Sequence, residues 1–381
     1  MGLQGVLIWV GLAGGLGACA AQPGPGEFEA LLQGATFAPR EVAASPEQVF
    51  ALDGPMRAFL DTDVAGRART KGQIRGLFEG LRDTVEVGYD TTITRTASET
   101  FAARSGNCLS LVLMTGAFAK ALRVPVHYQD VFGEETWSRS ERLAFRSGHV
   151  NILLGKGVLD RDNADQVIID FLPSPVPGRR NSRTIGEETV VAMYLNNRAA
   201  ETLNDGDLDA AYAWASAAVR SDPAFNSAYN TLGVIYLRHG DLALAERTLR
   251  HALARRPDSA EVLGNLVSVA VADGRGADAH ALRVQLEKIE PYPPFYFMDQ
   301  GLAAMNRGDD RAALELFEKE LRRMPYDDEV QFAVAVASLK LCDLRDARTH
   351  MALALRNSTT QDRHNIYAAK LAHLQQMQPS R

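Results

Sequence analysis

A period of 34 residues in the second half of the chain constrains the fold more than any other feature. Pro223, Pro257, Pro291 and Pro325 fall at that spacing, as do Gly206, Gly240, Gly274 and Gly308, with Cys342 in the next position. A third ladder of Ala211, Ala245, Ala279, Ala313 and Ala347 keeps the same interval. Each ladder fits one task in a helix–turn–helix unit. Glycine permits a tight bend, and the aspartate that usually follows it ("DGDL", "HGDL", "RGDD") caps the second helix. The alanine, five residues beyond the glycine, lets the paired helices approach closely. Proline closes each unit because it cannot continue a helix.

A period of this kind belongs to stacked helical repeats. The stretch "NTLGVIYLRHGDLALAERTLRHALARRPD", with Leu232, Gly233, Tyr236, Ala245 and Ala252, resembles the tetratricopeptide repeat most fully. The resemblance implies an all-α solenoid of five repeats over 192–359, with a capping helix and tail over 360–381. The third unit is looser, and Thr359 stands where the fifth proline would be. A groove that binds a protein or peptide segment is implied with it. Cys342 occupies a turn-glycine position and reads as structural. His239, His251, His280, His350, His364 and His373 lie on the repeats without metal-ligand spacing and read as surface or packing residues.

At the other end, an apolar run from Val6 to Leu16 is too short to span a membrane and ends in Leu16-Gly17-Ala18-Cys19. This resembles the bacterial lipobox. The resemblance implies a signal peptide over 1–18, cleavage before Cys19, lipidation of Cys19 and export. Ala20 in place of aspartate favours sorting to the outer membrane, facing the periplasm. The absence of Lys or Arg ahead of the run departs from the pattern, and an ordinary signal peptide or a miscalled start is the alternative. Residues 19–26 read as a lipidated tether. Pro173, Pro175, Pro177 and Gly178 interrupt regular structure, which sets a linker over 173–191.

The body between, 27–172, has mixed periodicity. "SPEQVFALDGPMRAFLDTDV" and "KGQIRGLFEGLRDTVEV" are apolar at helical spacing, and the run from Cys108 to Leu122 is apolar nearly all round, as a buried central helix is. "RVPVHYQDVF", "HVNILLG" and "QVIIDFL" read as strands, so an α+β domain is expected.

Cys108 opens the buried helix. Ser105 or Asn107 caps it, and helix-terminal N–H groups favour a thiolate there. A catalytic thiol needs a base and a group that orients the base. This half holds only His127 and His149. His149 has the better setting: it shares a strand face with Asn151 and Leu153, and the next strand carries Asp170 among apolar residues. A symmetric hairpin would place His149 directly across from Asp170. Asp160, Asp162 and Asp165 read as solvated loop residues.

"RSGNCLSL", "GHVNILL" and "VIIDF" together resemble the transglutaminase-like superfamily of papain-like folds, over about residues 90–172. The resemblance implies Cys108 as nucleophile, His149 as base and Asp170 as its orienting carboxylate. Asn107 and Asn151 replace residues common in that family, which bears on substrate class. Trp137, in the loop "GEETWSRSERLAFRSG", either lines the site or is an exposed aromatic.

The expected protein is a membrane-anchored, cysteine-dependent amide hydrolase or acyltransferase whose repeats recruit a protein partner or substrate. The alternative is a non-catalytic, lipid-anchored adaptor. No cofactor is expected, and a metal site on Cys108 with His127 or His149 lacks any paired C-x-x-C or H-x-x-x-H spacing. A net charge of −6 without a basic run gives no support to nucleic-acid binding.

Overall fold

A computed structural model describes residues 28–32, 36–42, 45–85, 88–140, 143–155, 166–171 and 182–377. Cys19 with its lipobox, the loop aspartates 160–165 and the prolines 173–177 lie outside the described residues. The chain is mostly helical, with a small sheet in its amino-terminal part.

Four helices come first: α1 (Pro46–Val49), α2 (Gly54–Phe59), α3 (Ala65–Lys71) and α4 (Gln73–Thr84). Two of them start where sequence chemistry asks. Ser45 and Gln48 form a reciprocal cap on α1, and the Asp53 carboxylate accepts from the Met56 N–H on α2. Strand β1 (Gly88–Tyr89), helix α5 (Ala97–Ala103) and strand β2 (Ser105–Gly106) lead into α6 (Cys108–Ala121). Leu109 to Ala119 are all buried, so α6 is the central helix that its composition predicts. Leu111, Val112, Leu113, Met114 and Phe118 each stabilise this packing by about 2 kcal/mol, which fixes the helix and the residue at its start.

The sheet against it has the order β5–β4–β3–β6, all antiparallel, from β3 (Val126–Ser140), β4 (Leu143–Leu154), β5 (Val167–Ile169) and β6 (Ser182–Ile185). Val150, Ile152 and Leu154 join Tyr128 in the core with α6, as strand alternation requires. Two segments differ from the sequence reading. The stretch around Trp137 is ladder rather than loop, with Trp137 in register with Arg146 beyond an irregularity between Val131 and Thr136. Part of the expected linker is strand β6, which pairs with β3, and the first repeat helix begins at Glu187.

Eleven helices follow as α7 (Glu187–Asn204), α8 (Leu208–Ser221), α9 (Asn226–His239), α10 (Leu242–Arg255), α11 (Ala260–Ala272), α12 (Gly276–Ile289), α13 (Tyr296–Asn306), α14 (Asp310–Arg323), α15 (Asp328–Lys340), α16 (Leu344–Asn357) and α17 (Gln361–Gln376). They pack as five antiparallel pairs and a final helix, a tetratricopeptide-like solenoid. The ladders have the roles their chemistry implies. The turn glycines sit at φ of +87°, +97°, +72° and +80°, and Cys342 is forced to +63° in the fifth turn. Ala211, Ala245, Ala279, Ala313 and Ala347 are buried between paired helices. Asp207, Asp309 and Asp343 cap their second helices, whereas Asp241 makes no such cap and bonds the His239 ring at 3.0 Å.

One core runs without a break from Leu31 through α6 and β4 into α7–α12, and separate clusters fill the fourth and fifth repeats. The Lys120–Glu187 ion pair (2.7 Å) ties the end of α6 to the start of α7. A second contact is distant in sequence: the Thr91 N–H and hydroxyl both donate to the Thr359 carbonyl, at 3.1 and 3.2 Å. The loop after β1 thus touches the far end of the repeats.

Candidate functional site

The start of α6 is built from its own sequence. Asn107, in extended backbone, is the N-cap, and its Oδ1 accepts from the Ser110 N–H at 2.9 Å. Ser105 instead belongs to β2, where it pairs with Gly88. The cap places Cys108 in the first helical turn, half-buried, where its N–H has no acceptor within the helix.

His149 reaches this point from β4, where it stands in register with Val131. It is only 2% exposed, so its ring polarity must be met from within the protein. Nε2 lies 2.8 Å from Asp170 Oδ1. The hairpin is not symmetric about the midpoint expected from sequence: Ile152 pairs with Ile169, and continuing that register puts Asp170 level with Asn151. The imidazole and carboxylate therefore meet diagonally on one sheet face, and the pair forms all the same.

The other ring nitrogen, His149 Nδ1, is buried and left without a hydrogen-bond partner, and the Cys108 side chain is close enough to act on the ring. Burial alone lowers the imidazole's affinity for a proton. The bond to Asp170 and the thiol beside it outweigh that and raise its pKa to about 9. The Asp170 carboxylate thus favours the protonated form of the ring.

Tyr89 is a neighbour that sequence reading did not find. Burial pushes its hydroxyl well above the usual phenol range, and the charge on Cys108 adds to this. The hydroxyl also approaches the Cys108 main chain. Tyr89 comes here because β1 pairs in parallel with β2, the two residues ahead of the cap. Nothing in "VGYDTT" signals a two-residue parallel bridge, so no local pattern could have revealed it. Asn151 is buried on the His149 strand with its Oδ1 unpaired.

His127 stands on β3 opposite Leu153. Among the described residues, no group of three His, Cys, Asp or Glu side chains is placed to hold a metal ion. The Trp137 side chain lies outside what the structure describes.

No protein-family model matches the chain, and no curated protein does. Among solved structures it is similar to TTC0263, a thermophilic tetratricopeptide protein of Thermus thermophilus, with 20% identity, 48% of this chain and 99% of that one covered, and a TM-score of 0.28. It is similar to PilF of Pseudomonas aeruginosa, with 23% identity, 48% and 83% covered and a TM-score of 0.28. A third is YrrB, described as a tetratricopeptide protein with an unusual peptide-binding site, at 18% identity, 47% and 92% covered and a TM-score of 0.25. The repeats themselves rest on the chain's own 34-residue period and the helix pairs it produces.

Proposed function

We propose that the solenoid binds a protein or peptide segment and that Cys108, His149 and Asp170 form a thiol site acting on an amide of that partner. The observation that carries the reading is the His149–Asp170 contact at 2.8 Å, with the Cys108 side chain acting on the same ring. Cys108 Sγ attacks the amide carbonyl carbon, and the thiol proton resides on His149 Nδ1. The Cys108 N–H, outside the helix ladder and approached by the Tyr89 hydroxyl, turns to donate to the oxygen that takes up charge. The imidazolium then gives its proton to the leaving nitrogen as the C–N bond breaks, and a thioester remains on Cys108. Water releases the acid, or an amine forms a new amide. Asp170 keeps the ring oriented throughout. The fold class this implies is transglutaminase-like for the body around α6.

Alkylation with iodoacetamide across pH, read by peptide mass, tests the reading. Cys108 reacts ahead of exposed Cys342 at pH 6, and His149→Ala removes the advantage. Equal, slow labelling of both thiols overturns it. That outcome supports the second reading, a non-catalytic adaptor, which is favoured by the share of the chain given to repeats and by the absence of a well-formed thiol–imidazole hydrogen bond.

The anchor belongs to the same proposal. A lipid on Cys19 holds the chain at the bacterial outer membrane, facing the periplasm. Tyr236 and Arg247 of the second repeat donate to the carbonyls of Leu31 and Ala30, which holds those two residues against the solenoid. Cys19→Ala releases the protein from membranes; a wild-type chain recovered unacylated overturns the anchor.

A further inference from the structure

The segment "YDTTITRT", residues 89–96, has no periodicity and no motif, yet it connects the thiol's surroundings to the repeats. Thr94 lies at its centre and is 1% exposed. Its hydroxyl oxygen accepts from two side-chain amides, Asn107 Nδ2 at 2.8 Å and Asn197 Nδ2 at 3.2 Å. The first is the cap of the helix that begins with Cys108, and the second is on α7. The Thr94 N–H donates to Glu201 Oε1, also on α7, at 2.7 Å. Burial raises the Glu201 carboxyl, while this bond and the Arg198 ion pair at 2.8 Å oppose the rise.

The network then closes around the thiol. Asn107 Oδ1 accepts from both the N–H and the hydroxyl of Ser110, each at 2.9 Å. Ser110 Oγ accepts from the Arg95 N–H at 2.9 Å, and the Arg95 guanidinium holds Asp90 at 3.0 Å, next to Tyr89. Asn107 and Ser110, which flank Cys108 in the first turn, are thus bonded to one loop, and the loop is bonded to the first repeat.

We infer that Thr94, clamped by Asn197 and Glu201, is a positioning residue for Cys108, so that the first repeat sets the geometry of the thiol site. This rests on the thiol reading above. A cap amide that loses its acceptor rotates, and the first turn of α6 moves with it. Sub-ångström placement of a reacting atom governs rate strongly.

The test uses the full chain. Thr94→Val keeps the shape and removes the oxygen, leaving two half-buried amide groups without that acceptor. Iodoacetamide labelling of Cys108 is followed from pH 5 to 10, together with amide exchange over residues 105–112. Thr94→Val is expected to slow Cys108 about tenfold at pH 6 and to change its pH profile. It leaves Cys342 unaffected, and Thr94→Ser restores the wild-type profile. If Thr94→Val does not fold, Asn197→Ala, which keeps the Thr94–Asn107 bond, shows a smaller slowing in the same direction. A wild-type labelling profile in these variants overturns the inference even if exchange rises, because the role is then structural. Loss of the Cys108 preference in the wild-type chain is a different failure: it removes the thiol reading itself, and this inference with it.

Discussion

Removing the Asp170 charge tests the site's electrostatics most directly. His149 holds its proton to about 9 against an ordinary 6.5 because the Asp170 bond and the Cys108 sulfur overcome burial. A hydrogen bond between charged groups is worth about 1.5–3 kcal/mol, or about one to two pH units. Asp170→Asn should therefore bring the His149 midpoint down to about 7–8. Asp170→Asn with Cys108→Ala leaves burial as the main influence, and the midpoint should fall below 6.5. The assay is a ring-carbon NMR titration with labelled histidine. The chain has eight histidines, and His149→Gln assigns the resonance. The same shift enters stability with a definite sign. The folded chain holds this proton more firmly than the unfolded one, so the stabilisation is complete below 6.5 and is lost as pH rises through about 9. The full effect is about 3 kcal/mol, and Asp170→Asn should flatten the fall between those limits. A wild-type midpoint near 6.5, or one that Asp170→Asn leaves in place, refutes the reasoning.

Other expectations concern the repeats. Cys342→Gly relieves a left-handed backbone that costs a side-chain-bearing residue about 1 kcal/mol, partly offset by a more flexible unfolded chain, so urea unfolding should show a gain of about 0.5 kcal/mol. Gly301→Ala would set a methyl 2.4 Å from the buried Phe317 ring, and a loss of about 1–3 kcal/mol should appear in the unfolding of the fourth repeat. Deleting 187–381 strips Val190, Val191, Tyr194 and Leu195 from the shared core, at about 1.5–3 kcal/mol each. Against a total of about 5–15 kcal/mol, the remaining fragment should show no cooperative melting.

A single residue type or a local period already dictates much of this fold. Turn glycines, close-packed alanines and stopping prolines recur every 34 residues because each repeat solves one steric problem. The all-round apolar helix after Cys108 is equally local, and so is the alternation that puts His149 on a strand face. Long-range packing sets the rest. Whether Ser105 or Asn107 caps α6 depends on a parallel bridge between β1 and β2, whose partners lie 17 residues apart and carry no pattern. The diagonal meeting of His149 and Asp170 depends on a strand register that the connecting residues do not encode in their composition. The union of Thr94 with Asn107, Asn197 and Glu201 brings together groups more than a hundred residues apart. Each of those polar atoms would bond to water in an extended chain. Burial removes the water, and the partners that replace it are chosen by how the helices pack.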